Sequence, residues 1–163
     1  MNKEEKYKLL LKQLEALVVK NIPADGNICN LLAQMKTEMG YFWCGLYIKQ
    51  SGNTLGLGPF QGLPACTLIQ WGKGVCGTAA STGETQIVND VSLFPGYIAC
   101  HAETQSEIVI PGFINNEVAF VLDVDSIEKW YFDDTDKKYL TLVTEIIAGI
   151  IGDEKEAVSL NSN

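Results

Sequence analysis

Apolar residues follow a helical spacing near both ends of the chain. Residues 3–20 and about 27–39 repeat apolar side chains every three or four positions, which predicts two amphipathic helices. A third stretch with this period begins after Asp133 and reaches Gly152. The apolar positions of the three helices are Tyr7, Leu10, Leu11, Leu14, Leu17 and Val18; Ile28, Leu31, Leu32, Met35 and Met39; and Leu140, Val143, Ile147, Ile150 and Ile151.

Residue types that favour particular backbone angles mark the ends of these helices. Pro23 ends the first helix, Asp25 can cap the second, and Gly40 stands where a left-handed residue closes a helix. Asp133 can cap the third helix. The chain after Gly152 is polar, so we expect a frayed tail over residues 153–163.

Between the second and third helices the pattern changes to that of β-strands. Aromatic and β-branched residues, interrupted by turns such as Ser51-Gly52-Asn53 and Asn115-Asn116, predict a series of short strands in an otherwise irregular stretch. The predicted strands are 42–49, 54–60, 67–69, 86–88, 107–110 and 117–125. This order predicts the α+β class, with a central antiparallel sheet flanked by helices. We find no repeat or linker, so residues 1–163 are expected to form one domain with its core at about 25–152.

Charge and hydropathy narrow the range of partners. The chain carries 12 Lys and Arg against 20 Asp and Glu, a net charge of −8, and such an acidic surface repels the phosphates of nucleic acids. No apolar run approaches the roughly 18 residues of a membrane span, and the segment from Met1 to Lys6 lacks the apolar core of a signal peptide. We therefore expect a cytoplasmic protein that binds neither nucleic acid nor membrane.

Five cysteines raise the question of redox chemistry: Cys29, Cys44, Cys66, Cys76 and Cys100. An odd number without a signal peptide argues against a disulfide framework. Zinc is disfavoured because there is no C-x-x-C pair and only one histidine, so no metal or cofactor is expected. Composition alone favours inert buried thiols over redox-active ones, since free cysteine is among the most buried residue types.

The segment from Gly72 to Gly77 matches G-x-G-x-x-G, a weak signal by itself. A dinucleotide site needs an acidic residue about 20 positions further on, and here Glu84 and Asp90 come too early. A tight turn at the start of a helix is the simpler interpretation. A helix N-terminus lowers the pKa of a thiol, which would make Cys76 more reactive than an average cysteine.

Asp123-Val124-Asp125 places two carboxyl groups on one face of a strand that is otherwise apolar. Burying them is costly unless they serve a purpose, and their proximity would raise the pKa of one and leave it a proton to donate. A solvated strand end that caps the next turn is an equally good interpretation.

In the neighbouring segment, Cys100 and His101 are adjacent and would point apart in a strand, so His101 receives no role.

Six motifs follow one another over roughly residues 41–134. They are Phe42-Trp43-Cys44-Gly45-Leu46-Tyr47, Leu57-Gly58-Pro59-Phe60-Gln61-Gly62, Gly72-Lys73-Gly74-Val75-Cys76-Gly77-Thr78-Ala79, Ile98-Ala99-Cys100, Ser106-Glu107-Ile108-Val109 with Pro111, and Val121-Leu122-Asp123-Val124-Asp125-Ser126. In this order they resemble the free methionine-(R)-sulfoxide reductases, a family built on the GAF domain. Two departures lie beside the aspartate strand: Phe120 stands where the family has glycine, and Pro111-Gly112-Phe113 is less apolar than the family's stretch.

The resemblance implies a role for each matching residue. Cys100 matches the catalytic cysteine, Cys66 the main resolving cysteine and Cys76 an auxiliary one. The substrate-binding residues that it implies are Trp43, Glu107, Asp123 and Asp125. The implied activity is reduction of free methionine (R)-sulfoxide through a sulfenic acid and an intramolecular disulfide, with thioredoxin as the reductant.

The alternative is a non-catalytic GAF domain that senses a small molecule or the redox state. A sensor needs neither the pair Cys66 and Cys100 nor three carboxylates in one pocket, and the resemblance therefore favours the enzyme. GAF domains often pair, and the first helix could supply the interface of a homodimer.

Overall fold

The computed structural model describes residues 1–161, with side chains through residue 154. Its helices are α1 (Lys3–Leu17), α2 (Ala24–Met39), α3 (Gly74–Thr82) and α4 (Asp134–Asn161). Its strands are β1 (Trp43–Gln50), β2 (Thr54–Gln61), β3 (Leu68–Gln70), β4 (Gln86–Val88), β5 (Ser106–Ile114) and β6 (Glu117–Ser126). The strands form one sheet in the order β3-β2-β1-β6-β5-β4, with antiparallel pairing throughout. The predicted α+β class is therefore confirmed.

Side chains alternate between the two faces of the sheet and build two cores. On one face, Leu46 of β1, Ile108 of β5 and Leu122 of β6 pack with α1, α2 and α4. On the other face, Tyr47 and Val121 pack with α3 and with the long segment between β2 and β5. The sheet thus separates a helical layer from a layer of short elements.

Two of the three helix caps predicted from single residues are present in the structure. Gly40 adopts φ +76° and its N–H bonds the Lys36 carbonyl, which confirms the predicted left-handed cap. Asp133 accepts a hydrogen bond from the Thr135 N–H at 2.7 Å, as predicted for a cap of α4. Asp25 is not a cap: α2 begins at Ala24 with Pro23 in the cap position, so Asp25 lies inside the first turn.

Three other boundaries differ from the sequence prediction. α1 ends at Leu17: Val18 is extended, and the Asn27 side chain bonds both the N–H and the carbonyl of Val19 beside it. α4 continues through Asn161, past the predicted end at Gly152, and the last predicted tail residues, 162–163, lie outside the described residues. The helix α3 occupies part of the stretch that was predicted to be irregular.

A buried polar network joins the first helix to the last. The Asp136 carboxylate is fully buried and accepts hydrogen bonds from the Tyr7 hydroxyl at 2.7 Å and from Lys3 at 2.6 Å. The Tyr7 hydroxyl also pairs with that of Tyr41 at 2.6 Å. Because each polar atom has a partner, burial of this carboxylate is compensated.

No helix of residues 1–161 is both long enough and apolar enough to cross a membrane.

Candidate active site

Three carboxyl groups lie together on the face of the sheet opposite the helical layer. In the register of the central strands, Asp125 of β6 stands between Glu107 of β5 and Trp43 of β1, and Asp123 stands between Val109 and Gly45. One oxygen of each carboxyl group lies within 4.8 Å of one oxygen of the other two. The prediction that Asp123 and Asp125 share a face is confirmed.

Burial decides between the two interpretations of these aspartates. Asp123 is 8% exposed, Asp125 is 5% exposed and Glu107 is 6% exposed, so they are not solvated groups at a strand end. Burial raises the pKa of Asp123 to about 7, and burial together with the neighbouring carboxylates raises the pKa of Glu107 and Asp125 well above the ordinary range. The cluster therefore holds protons near neutral pH.

A disulfide lies beside this cluster. Cys66 and Cys100, 34 positions apart in the chain, are bonded with their Cα atoms 5.5 Å apart. Both residues are half-buried and belong to irregular segments that meet over the sheet. The Tyr47 hydroxyl donates to the Cys66 carbonyl at 3.0 Å and lies 4.0 Å from the Cys100 Sγ. The two cysteines singled out by the sequence resemblance thus share one covalent bond at the mouth of the carboxylate cluster.

Cys76 lies at the first turn of α3, buried beneath the carboxylates. The expectation that the helix N-terminus lowers the pKa of its thiol is wrong. Burial raises that pKa well above the usual value, and the nearby carboxylates of Asp123 and Glu107 raise it further. Loss of solvent and the acidic neighbours therefore shift the pKa of the thiol more than the N-terminus of one short helix does. The remaining thiols lie elsewhere: Cys44 is buried in the helical layer, and Cys29 is half-buried on α2.

Trp43 lies beside the site, paired with Asp125 across β1 and β6, and is not among the residues that line the cleft. It is 1% exposed, its ring stacks on Phe60 at 5.6 Å between centroids, and its indole N–H donates to the Leu63 carbonyl at 3.0 Å. A Cβ at Gly62 would collide with the indole ring, and Gly62 also has φ +142°, so glycine is required there. The backbone before Cys66 is thereby packed closely against the tryptophan.

The segment from Gly72 to Gly77 is a turn that starts α3, as the simpler interpretation predicted. Gly72 and Gly74 adopt φ +76° and +61°. A Cβ at Gly77 would collide with the Gln70 carbonyl, so glycine lets α3 pack directly against the end of β3. The strand before this turn belongs to an antiparallel sheet, unlike the parallel unit of a dinucleotide site.

His101 is a residue of the site that the sequence analysis left without a role. It is 8% exposed, its Nδ1 lies 3.9 Å from an oxygen of Asp125, and its Nε2 lies 3.1 Å from the Pro64 carbonyl. The segment between β4 and β5 is not a strand at this point, so the alternation of strand side chains does not apply to Cys100 and His101. No spacing signal would have revealed its position, because irregular backbone has no period.

One residue of each departure from the family pattern, Phe120 and Gly112, lies on the side of the sheet away from the carboxylates. Phe120 points into the helical layer, where it is fully buried. It pairs with Gly112 across β5 and β6, and its ring occupies the space that a Cβ at Gly112 would need. The two residues therefore compensate each other on the opposite side of the sheet.

These groups line a narrow cleft with an accessible volume of about 20 Å³. Its lining combines the carboxylate cluster, a cysteine of the disulfide, the buried thiol and the start of α3. The residues are Ile69, Lys73, Gly74, Val75, Cys76, Tyr97, Ile98, Cys100, His101, Thr104, Glu107, Asp123 and Asp125.

Comparisons with known proteins agree on one family. The chain is 44% identical over 161 residues to the free methionine-R-sulfoxide reductase of Saccharomyces cerevisiae, covering 90% of this chain and 86% of the relative. It is 40% identical over 143 residues to the enzyme of the same name from Escherichia coli, covering 86% and 85%. No protein-family model matches the chain.

Solved structures give the same result. The free methionine-R-sulfoxide reductase of Neisseria meningitidis, solved in complex with its substrate, superposes with a TM-score of 0.93 at 37% identity and covers 96% of this chain and 95% of that one. The GAF domain of a phosphoenolpyruvate-protein phosphotransferase from Coxiella burnetii superposes with a TM-score of 0.88 at 16% identity, covering 97% and 99%. The latter likeness shows the fold alone, which is that of a GAF domain.

Proposed function

Because this chain belongs to the free methionine-R-sulfoxide reductase family, we propose that it reduces free methionine (R)-sulfoxide to methionine, with Cys100 as the nucleophile. The observation that carries the proposal is the Cys66–Cys100 disulfide at the mouth of a buried carboxylate cluster. A disulfide is the oxidised product of a two-thiol reaction, and the cluster supplies the acid that sulfoxide reduction needs.

The reaction proceeds in two balanced steps. The Cys100 thiolate attacks the sulfoxide sulfur while a carboxyl group protonates the oxygen, so the hydroxyl group ends on Cys100 as a sulfenic acid and methionine leaves. The Cys66 thiol then attacks the Cys100 sulfur, the disulfide forms and water leaves. Two thiols are oxidised and one sulfoxide is reduced.

The carboxylate cluster performs two tasks in this scheme. A protonated member, among Glu107, Asp123 and Asp125, donates to the departing oxygen. An ionised member binds the ammonium group of the free amino acid through a charge-assisted hydrogen bond. Burial raises the pKa of Asp123 to about 7, so protonated and ionised members coexist in the cluster near neutral pH.

The neighbouring groups complete the pocket. Trp43 packs against the methyl end of the substrate, since sulfur and methyl groups contact aromatic rings favourably. Cys76 serves as an auxiliary thiol: its raised pKa keeps it protonated while Cys100 reacts. Thioredoxin, a dithiol protein, reduces the disulfide by exchange. This cycle suits the cytoplasm, where thiols are kept reduced, and the chain acts as a single GAF domain that pairs into a homodimer.

Single-turnover kinetics read by mass spectrometry test the assignment of the cysteines. Cys100→Ser should release no methionine, because a hydroxyl is a far poorer nucleophile than a thiolate. Cys66→Ser should release about one equivalent and leave Cys100 as a sulfenic acid, while turnover with thioredoxin falls sharply. Cys29→Ser, which alters a thiol outside the cleft, should match the parent protein.

Three outcomes would contradict the proposal, and each has a different meaning. A burst from Cys100→Ser but not from Cys66→Ser would reverse the two assignments. A burst from both would exclude the mechanism, and the absence of methionine from the parent protein would favour a non-catalytic sensor.

Substrate size tests the role of the cluster in binding. An enclosed acidic pocket that holds an ammonium group should accept the free amino acid and reject N-acetyl methionine sulfoxide, in which that charge is absent. We expect kcat/KM for the acetylated compound to fall by about 10²-fold or more, as for loss of a buried charged hydrogen bond. Comparable turnover of both compounds, or preference for the S epimer, would contradict the proposal.

A further inference from the structure

His101 lies where both cysteine segments meet the carboxylate cluster, and it is the chain's only histidine. It follows Cys100 directly, and its ring contacts the carbonyl of Pro64, two residues before Cys66. The ring also packs against Trp43, with 6.0 Å between centroids. Its position is therefore determined by the same elements that build the cleft.

The Pro64 contact determines which ring nitrogen carries the proton. A carbonyl oxygen can only accept a hydrogen bond, so Nε2, at 3.1 Å, must donate. The neutral ring then has a lone pair at Nδ1. That atom is buried without a hydrogen-bond partner and faces the Asp125 carboxyl group at 3.9 Å, so a proton acceptor faces a group that burial keeps protonated.

We propose that His101 is a positioning residue for sulfoxide reduction: its Nδ1 accepts the Asp125 proton in a hydrogen bond, while its Nε2–H ties the ring to the Cys66 segment. This inference rests on the proposed function. A side-chain movement of about 1 Å is enough to bring His101 Nδ1 and the Asp125 oxygen to hydrogen-bond distance. Asp125 releases this proton to the sulfoxide oxygen, and the proton that the Cys100 thiol loses on forming the thiolate restores the carboxyl group.

This hydrogen bond would affect the pH range in which the Asp125 carboxyl group stays protonated. A hydrogen bond to the protonated form of a carboxyl group raises its pKa, so loss of the Nδ1 acceptor should lower the pKa of Asp125. The other titratable or charged groups that line the cleft stay unchanged in a His101 variant. They are Lys73 and Cys76 at the start of α3, Tyr97 and Cys100 before β5, Glu107 of β5 and Asp123 of β6.

Two substitutions separate the two nitrogens. In His101→Gln the amide N–H can replace the Nε2 donor to Pro64, but no acceptor remains at the Nδ1 position. In His101→Asn the amide oxygen can replace the Nδ1 acceptor, but the bond to Pro64 is lost. We expect the alkaline limb of the pH profile of the methionine burst to move to lower pH by about one unit in His101→Gln, so that the burst falls by up to about tenfold on that limb and matches the parent on its acid side. His101→Asn should keep the pH profile of the parent.

A merely structural role would give another result. If both variants lower the burst equally at every pH, or if His101→Gln retains the parent profile, the inference is overturned. The parent protein also permits a test without catalysis, because ¹⁵N NMR of a single histidine is unambiguous. The spectrum should show a proton on Nε2 and a Nδ1 resonance that moves in Asp125→Ala. A proton on Nδ1, or an unmoved resonance, would overturn the inference even if the protein turned over no sulfoxide.

Discussion

At the scale of single residues, the main feature is a group of three acids that share one buried site. Carboxylates avoid burial unless it is compensated, and here part of the compensation is protonation, as the raised pKa of Asp123, Glu107 and Asp125 indicates. In the proposed reaction protonation has a second consequence, since a neutral carboxyl group can donate to a departing oxygen.

Neutral amides test this reasoning. Asp125→Asn and Glu107→Gln preserve shape but remove a donor or an ammonium partner, and general acid catalysis is typically worth about 10²–10⁴-fold. We expect kcat/KM for methionine sulfoxide to fall within that range in at least one variant. Asp90→Asn, which removes a carboxylate paired with Lys129 outside the cleft, is the matched control. Unchanged kinetic constants in both cluster variants would show that the carboxyl groups take no part.

The direction of a side chain could be predicted from the sequence where the backbone is periodic. The alternation of β6 places Asp123 and Asp125 on one face, and this followed from spacing alone. Spacing did not reveal the position of His101 or the direction in which the Cys76 pKa shifts, because both depend on which distant segments pack around the side chain. The Phe120 and Gly112 pair is a similar case, since two unusual residues compensate each other only through register.

At the scale of elements, the short helix α3 depends on one contact that glycine permits. Gly77→Ala would place a methyl group against the Gln70 carbonyl, so α3 must move away from β3 and from the cleft. We expect a loss of about 1–3 kcal/mol in unfolding free energy, as for other overpacked sites, with a higher KM.

A helical glycine without such a contact provides the control. A Cβ at Gly149 of α4 meets no atom within 4 Å. Gly149→Ala should leave KM unchanged and stabilise the protein slightly, since alanine favours helix by up to about 1 kcal/mol. Urea unfolding and Michaelis–Menten kinetics measure both quantities. Equal effects of the two substitutions would refute the role of the contact.

The elements also show why strand positions were easier to predict than the ends of helices. Turn residues with unusual backbone angles are visible in sequence: Asn115 and Asn116 both adopt positive φ and join β5 to β6 as predicted. The segment that follows the early end of α1 instead bonds the Asn27 side chain, which comes from the next helix. Such tertiary hydrogen bonds leave no local signal.

At the scale of the whole molecule, the cluster makes stability depend on pH. Its carboxyl groups have a higher pKa in the folded state than in the unfolded one, so the folded protein binds more protons over that interval. Their contribution is complete below about pH 4 and is lost as pH rises through the folded values, which for Asp123 lie at about 7.

The free energy of unfolding of the oxidised protein should therefore fall between pH 5 and pH 8. Asp123 alone should account for a loss on the order of 2 kcal/mol. Asp123→Asn removes the titrating group and should flatten the dependence, whereas Asp25→Asn, on the exposed surface of α2, should not. Denaturant titrations at four pH values measure the slope. Stability that increases with pH over this interval would contradict the assignment of protons.

The network of Lys3, Tyr7 and Asp136 has a consequence for biosynthesis. Its members are separated by about 130 positions, and the carboxylate that α1 needs is translated near the end of the domain. While the chain emerges from a ribosome, Tyr41 and α2 are available to α1 early, but Lys3 and Tyr7 lack the Asp136 carboxylate until α4 has left the exit tunnel. The polar contacts of the first helix are thus completed only when the last helix is made.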